Sequence, residues 1–175
     1  MLRRYLPYCL MLLAALLAGC ATIDHSPRPA LEHGAKWAIV PFLNHTDAPQ
    51  AGMRAEAMAD TLLRAQGIGD LVRYPAELAQ DSVFEPSERK AQDEALRWAK
   101  EQGVRYALAG AVTEWRYKAG VDGEPAVGIS LSIVDLQGGG VVWSAAGAKS
   151  GWSRDAVSAV AQSLMHDLLQ SAGIR

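Results

Sequence analysis

The sequence predicts an α/β (α+β) fold, a single domain in which helices pack against one mixed sheet. In the first part of the domain, two segments with strand-like patterns alternate with two segments at helical spacing, which is typical of parallel strands joined by helices. Three more strand-like segments follow, separated by glycine-rich turns, and a last amphipathic segment closes the chain. The predicted order is β-α-β-α-β-β-β-α.

The first 19 residues have the pattern of a bacterial lipoprotein signal peptide. Arg3 and Arg4 precede an apolar run over residues 10–17, which ends at Leu17-Ala18-Gly19-Cys20. The run is shorter than the roughly 20 residues that a spanning helix needs. The ending resembles a lipobox, so we expect acyl chains such as palmitate on Cys20. The alternative is an ordinary signal peptide without lipidation.

Charge and cysteine content limit the possible partners. Removal of Arg3 and Arg4 with the signal peptide leaves 15 basic and 19 acidic residues, hence a formal charge of −4. A nucleic acid is therefore not an expected partner. Cys9 leaves with the signal peptide and Cys20 carries the lipid, so no disulfide is expected. Ala21, rather than aspartate, after Cys20 favours sorting to the periplasmic face of the outer membrane.

Residues 20–35 are predicted to be the lipidated cysteine and a flexible tether, because they contain Pro27, Pro29 and Gly34 but few apolar residues. The folded domain is then expected to span residues 36–175. Its first strand is the apolar run 37–43, typical of a strand buried on both faces. Since Pro41 lacks an N–H, we expect this strand to stop near Val40.

Two helices and a short strand are predicted next. Residues 51–66 carry apolar side chains at helical spacing, and Gly67 is suited to end that helix. Residues 71–74 form a short strand. A second helix is expected over residues 87–102, with Ser87 as its N-cap.

The second half of the domain predicts an antiparallel meander covered by a helix. Residues 104–118, 126–136 and 141–150 are strand-like and are separated by the glycine-containing turns 120–123 and 137–140. Residues 153–172 repeat apolar side chains at helical spacing, and Ser153 can cap the start of this helix.

No catalytic or metal-binding set can be assembled from the sequence. The four histidines, His25, His33, His45 and His166, include no pair at the i, i+4 spacing that would preform a metal site on a helix. The glycines at 138–140 join two strands, so turn geometry explains them better than a phosphate-binding loop does. We therefore expect a protein that is not an enzyme and that uses no cofactor and no metal.

The five tryptophans differ in their expected surroundings. Trp37, Trp98 and Trp143 lie within apolar strands or a helix and are expected in the core. Trp152 follows Gly151 at the junction between the last strand and the last helix. An exposed indole there would be a membrane or partner contact, because tryptophan favours the membrane–water interface. Packing at the helix start is the alternative.

Several motifs together resemble a known group of proteins. Residues 37–46 (WAIVPFLNHT), with 133–135 (IVD) and 141–144 (VVWS), resemble the periplasmic lipoproteins related to CsgG and LpoB. Residues 114–118 (EWRYK), 120–128 (GVDGEPAVG) and 150–153 (SGWS) are more specifically similar to the PelC family, lipoproteins of Pel exopolysaccharide export in biofilm formation.

This resemblance implies a non-catalytic homo-oligomeric ring, a dodecamer, on the periplasmic side of the outer membrane at an export pore formed by a PelB-like protein. It also implies a cationic polysaccharide as cargo. Asp122 and Glu124 at the hairpin tip are then the expected polymer-guiding acids, since their charges would recur in every subunit. Residues 77–94 are a second acidic stretch and a rival location.

Two other functions stay open. One is an LpoB-like activator of a peptidoglycan synthase, which would need a long tether, whereas residues 21–35 extend to at most about 50 Å. The other is a CsgG-like secretion component, which would need a long alternating segment for a transmembrane barrel. The sequence has no spare segment of that length.

Overall fold

The computed structural model describes residues 21–75, 88–120 and 123–174. The signal peptide, Cys20 and Asp122 lie outside these residues. The strands are β1 (Ala21–His25), β2 (Trp37–Ile39), β3 (Leu43–Asn44), β4 (Leu71–Arg73), β5 (Tyr106–Tyr117), β6 (Pro125–Asp135) and β7 (Gly140–Ser150). The helices are α1 (Ala51–Ala65), α2 (Glu88–Glu101) and α3 (Val157–Ala172). None of the described helices is long and apolar enough to cross a bilayer.

All seven strands belong to one mixed sheet in the order β1-β7-β6-β5-β2-β4, with β3 also paired to β5. β5, β6 and β7 form the predicted antiparallel meander. β2 pairs parallel with β4 and β5, and β3 pairs parallel with β5. The α+β class is confirmed, whereas the element order differs from the predicted one by two additional short strands, β1 and β3.

The prediction of a flexible tether over residues 20–35 is wrong for its first part. Ala21–His25 forms strand β1, which pairs antiparallel with β7 from Ala21 opposite Lys149 to His25 opposite Ala145. Further along, the Glu32 N–H donates to the Tyr106 hydroxyl at 3.1 Å, and Leu31 packs against the core. β7 would otherwise be the sheet edge, and its unpaired backbone groups determine the conformation of this polar segment.

The first predicted strand stops before Pro41, as expected. β2 ends at Ile39, and the short strand β3 starts at Leu43. Between them, the N–H of Phe42 donates to Glu56 Oε1 of α1 at 3.0 Å instead of to a neighbouring strand. A side chain at Gly52 would collide with the Phe42 carbonyl, so the first turn of α1 can approach this break closely only with glycine there.

The helices cover the sheet unequally. α1 and α3 pack on one face over the larger core cluster, which includes Trp37 and Trp143, each only 1% exposed. α2 packs on the other face over a smaller cluster around Val40 and Ala107. The core placement of Trp37 and Trp143 is confirmed. Trp98 is only half-buried on α2 and packs its ring edge-on against Tyr74.

The last helix starts later than predicted. α3 begins at Val157, and its N-cap residue is Ala156, without a side-chain hydrogen bond to the helix. Ser153 does not cap it, because residues 152–155 form a turn in which the Trp152 N–H donates to Asp155 Oδ2 at 2.8 Å. Gly173 ends the helix at φ 68°, a left-handed conformation that favours glycine.

All three helices run in the same direction relative to the sheet. We call the sheet end that holds Ala21, Tyr117, Pro125 and Ser150 the Ala21 end. α1 starts after β3 near this end and ends where Arg64 donates to the Leu71 carbonyl, and α3 starts just after the Trp152 turn. α2 ends beside the start of β5, at the opposite end. The three helix N-termini therefore point toward the Ala21 end.

Candidate functional site at the Ala21 end

The Ala21 end brings together most of the residues that the sequence singled out. Cys20 immediately precedes Ala21, which lies opposite Lys149. Trp152 follows β7 at the same end, and Glu124 precedes β6 there. Ala21, Trp152 and Glu124 thus lie at the same end of the sheet, whereas Cys20 and Asp122 lie outside the described residues.

Trp152 is the most exposed large apolar residue of the described chain, at 66%. The turn at 152–155 holds its backbone while the indole projects into solvent. The helix-start packing that the sequence left open therefore does not occur. Tyr117 is also exposed, and its hydroxyl donates to the Asp155 carbonyl at 3.2 Å, so two aromatic side chains flank one turn.

The hairpin acid Glu124 is less free than the sequence suggested. Its carboxylate lies 3.6 Å from Lys118 Nζ, which also donates to Ser150 Oγ at 2.7 Å. The Lys118 N–H donates to the Glu124 carbonyl at 2.7 Å and closes the hairpin. Because Lys118 neutralises much of its charge, Glu124 contributes less to a negative field than an unpaired acid would.

Paired cations surround this hairpin. Arg116 contacts Glu114 at 2.9 Å, and Lys149 of β7 contacts Asp167 of α3 at 3.1 Å. Lys149 also donates to Ser163 Oγ at 2.7 Å, which ties β7 to α3. These pairs organise the end of the sheet without giving it a strong net charge.

Two arginines at this end have no acidic partner among the described residues. Arg54 lies in the first turns of α1, and Arg154 lies in the turn after Trp152; both are exposed. The sequence did not single them out, because an isolated arginine on a helix face or in a turn carries no functional signal by itself. Their position beside Trp152 and Tyr117 becomes visible only in the fold.

A groove of about 590 Å³ opens beside Arg54, between α1, α3 and the end of β5. Met58 and Tyr117 line it together with the first residues of α3. A second cleft, of about 620 Å³, lies by the loop at residues 45–48 and is lined by Thr113 and Glu114. Both are open surface features rather than enclosed chambers.

The described residues offer little catalytic chemistry. Within ranges 21–75, 88–120 and 123–174, no group of three histidine, cysteine or acidic side chains could hold a metal ion. Two lysines contact serine hydroxyls, Lys118 with Ser150 and Lys149 with Ser163, but each lysine is also paired with a carboxylate. An ion-paired ammonium cannot accept the proton of a serine nucleophile.

Two solved structures of one family are similar to this chain over most of its length. The chain is 43% identical to the PelC dodecamer from Paraburkholderia phytofirmans, with a TM-score of 0.75, over 89% of this chain and 99% of that one. A leucine-to-methionine form of that dodecamer gives 43% identity and a TM-score of 0.76, over 89% and 100%.

A more distant match shares the fold alone. Lipoprotein GNA1162 from Neisseria meningitidis is 18% identical, with a TM-score of 0.55, over 79% of this chain and 98% of that one. No protein-family model and no curated protein matches the sequence.

Proposed function

The chain belongs to the PelC family, and on that premise we propose that it is a non-catalytic lipoprotein of the outer membrane. It assembles into a ring on the periplasmic face and guides a cationic, Pel-like exopolysaccharide to an export pore formed by a PelB-like protein. The observation that carries this proposal is the 43% identity to a PelC dodecamer over nearly the whole of that chain.

The ring follows from the similarity to dodecamers and agrees with the shape of the subunit. A ring closes through a heterologous contact between two different surface patches. This subunit has unlike surfaces to offer, since α1 and α3 cover one sheet face whereas α2 covers only the β2–β5 side of the other. The sheet edges β1 and β4 also differ in length and composition.

The proposed lipidation of Cys20, the residue before β1, supports an orientation. A lipid on Cys20 would leave no spacer between the bilayer and β1, so the Ala21 end would lie at the membrane surface. Trp152 and Tyr117 would then be at the depth where aromatic side chains favour the interface. The missing spacer argues against an LpoB-like activator, which has to reach across the periplasm.

The guiding role rests on charge. The mature chain has a formal charge of −4, and every acid on the hairpin would be repeated around the ring. Such a band of negative potential raises the local concentration of a cationic polymer at the pore. Since Lys118 pairs with Glu124, Asp122 is the stronger of the two guiding acids in this proposal.

Two measurements on the full mature chain test the proposal. Native mass of the chain that starts at residue 20 with Cys20→Ser should correspond to a ring of subunits, and the wild-type gene should restore polymer secretion to a strain that lacks its own PelC. A monomer at high micromolar concentration, in solution and on lipid, contradicts the ring. Unrestored secretion with stimulated peptidoglycan synthesis would favour the activator instead.

A further inference from the structure

We propose that the groove between α1 and α3 binds the phosphate of an anionic phospholipid headgroup. The inference rests on the orientation in the proposed function, which puts the Ala21 end at the bilayer. It adds a specific lipid-recognising residue, Arg54, to a surface that would otherwise contact the membrane only through its lipid and its aromatic side chains.

The groove has the mixed lining that a headgroup requires. Arg54 and Met58 lie one turn apart on α1 and therefore on the same helix face. The exposed Tyr117 ring lies at the end of β5, and Val157 of α3 lines the groove from the other side. A guanidinium can pair with a phosphate through two parallel N–H groups, while Met58, Tyr117 and Val157 contact the adjoining apolar portion.

The local charge favours an anion, although the chain as a whole is acidic. No acidic residue lies in the first turn of α1 or α3 and neither N-cap makes a side-chain hydrogen bond, but Asp155 directly precedes the N-cap of α3, so the partial positive charge that favours an anion is chiefly that of the α1 N-terminus. Arg54 and Arg154 have no acidic partner among the described residues, which adds to the same field.

The proposed lipid on Cys20 favours a membrane surface as the occupant. Ala21 lies opposite Lys149, Lys149 opposite Val127, and Val127 opposite Trp115, which lines the groove. This row of paired residues crosses four strands. Three inter-strand spacings therefore place Trp115, at the groove, about 14 Å from Ala21, the residue that follows Cys20. The exposed Trp152 lies at the same end, so the lipid anchor, the indole and the groove can meet one membrane surface together.

Vesicle binding tests the site with a matched control. The mature chain with Cys20→Ser contains every described element and is mixed with vesicles of phosphatidylcholine, with or without phosphatidylglycerol. We expect preferential sedimentation with the phosphatidylglycerol vesicles, and Arg54→Gln should reduce that partitioning about fivefold, whereas Arg54→Lys keeps the charge but loses the paired N–H contact and should reduce it by a smaller factor. Arg97→Gln removes the same charge from an exposed position on α2, on the other face of the sheet, and should leave binding unchanged.

Two results would overturn the site. Equal losses for Arg54→Gln and Arg97→Gln would mean that net charge alone matters, and equal binding to both vesicle types would mean that no anionic headgroup is recognised. These outcomes are separable from failure of the proposed function. Wild-type ring mass and polymer secretion are measured without reference to lipid charge and would stay normal if only the headgroup site is wrong.

Discussion

The ammonium of Lys118 lies 3.6 Å from the Glu124 carboxylate across the base of the β5–β6 hairpin. Lys118 also donates to Ser150, so one side chain joins the ends of three neighbouring strands. We therefore expect unequal roles for the two acids of the hairpin. Glu124 is partly neutralised by a cation, whereas Asp122, two residues earlier in the chain, lies outside the described residues.

This inequality predicts different effects of the two acids on export. Asp122→Asn should lower polymer secretion more than Glu124→Gln, and Lys118→Gln should strengthen polymer binding because it unmasks the Glu124 charge. The measurements are secreted polymer, ring mass and the salt dependence of binding, since screening weakens surface attraction. Normal export by the double variant with an intact ring would exclude the hairpin and point to residues 77–94.

Cys20→Ser should give a folded but mislocalised protein. β1 begins one residue after Cys20, and its pairing with β7 involves the backbone and not the lipid. We expect an unchanged melting temperature together with loss of the protein from the outer-membrane fraction. A variant that still floats with outer membranes at the wild-type level would show that lipidation at Cys20 is not the anchor.

Trp152→Ala should weaken membrane contact with little effect on stability, whereas Trp143→Ala should lower the free energy of unfolding. Trp152 is 66% exposed, so its removal should change the free energy of unfolding by no more than about 0.5 kcal/mol while weakening membrane retention. Trp143 is 1% exposed in the main core, and Trp143→Ala should cost about 3–5 kcal/mol. Denaturant unfolding measures both. A large loss of stability in Trp152→Ala would assign the indole a packing role.

The lowered pKa of Asp135 predicts that the β6–β7 turn loses stability in acid. The N–H of Gly138 lowers the pKa of Asp135, and the N–H of Gln137 and the guanidinium of Arg105 add to this, whereas burial acts in the opposite direction. Because the folded-state pKa lies below the usual 3.8, the stabilisation is complete above about pH 4 and is lost as the pH falls through the folded value.

Asp135→Asn tests this turn. Asparagine keeps an acceptor for the two N–H groups, but its amide would face the donor of Arg105, which now lies 2.9 Å from the carboxylate. The variant should be less stable than wild type at pH 7, and the difference should shrink below pH 4. Equal acid sensitivity of the two proteins in denaturant titrations would contradict the prediction.

The raised pKa of Glu56 predicts the opposite pH dependence of stability. Burial raises its pKa above the usual 4.5, although the Phe42 N–H and Arg73 partly counteract this. Ionisation therefore costs the folded state stability as the pH rises through the interval above 4.5. Glu56→Gln retains an oxygen for the Phe42 N–H, so its stability relative to wild type should increase from pH 4 to pH 7. A decrease over that interval would contradict the assignment.

The sequence predicted the elements whose own residues determine them. The apolar periodicity of α1 and α3 and the glycine turns of the meander specify structure locally, and the missing N–H of Pro41 correctly predicted the end of the first strand. β1 could not be predicted, because its polar sequence becomes a strand only beside the otherwise open edge of β7. Ser153 was misassigned as a cap because Asp155 forms a competing turn with Trp152.

The candidate site was predictable residue by residue but not as an arrangement. Trp152 and the hairpin acids were identified from their positions between elements. The Lys118–Glu124 pair links residues that a turn brings together, and the groove joins α1 to α3, which are far apart in the sequence. Long-range packing determines both features. For this reason the sequence alone did not identify Tyr117 and Arg54 as site residues.

The antiparallel pairing of β1 with β7 also has a mechanical consequence. A lipid on Cys20 would transmit force to the N-terminal end of β1, along the strand, whenever polymer movement drags the domain away from the bilayer. The hydrogen bonds of the pair lie perpendicular to the strand, so such a load shears them together instead of peeling them one by one. With a lipid on Cys20, the five-residue strand β1 would therefore connect the anchor to the sheet through a pair that is loaded in shear.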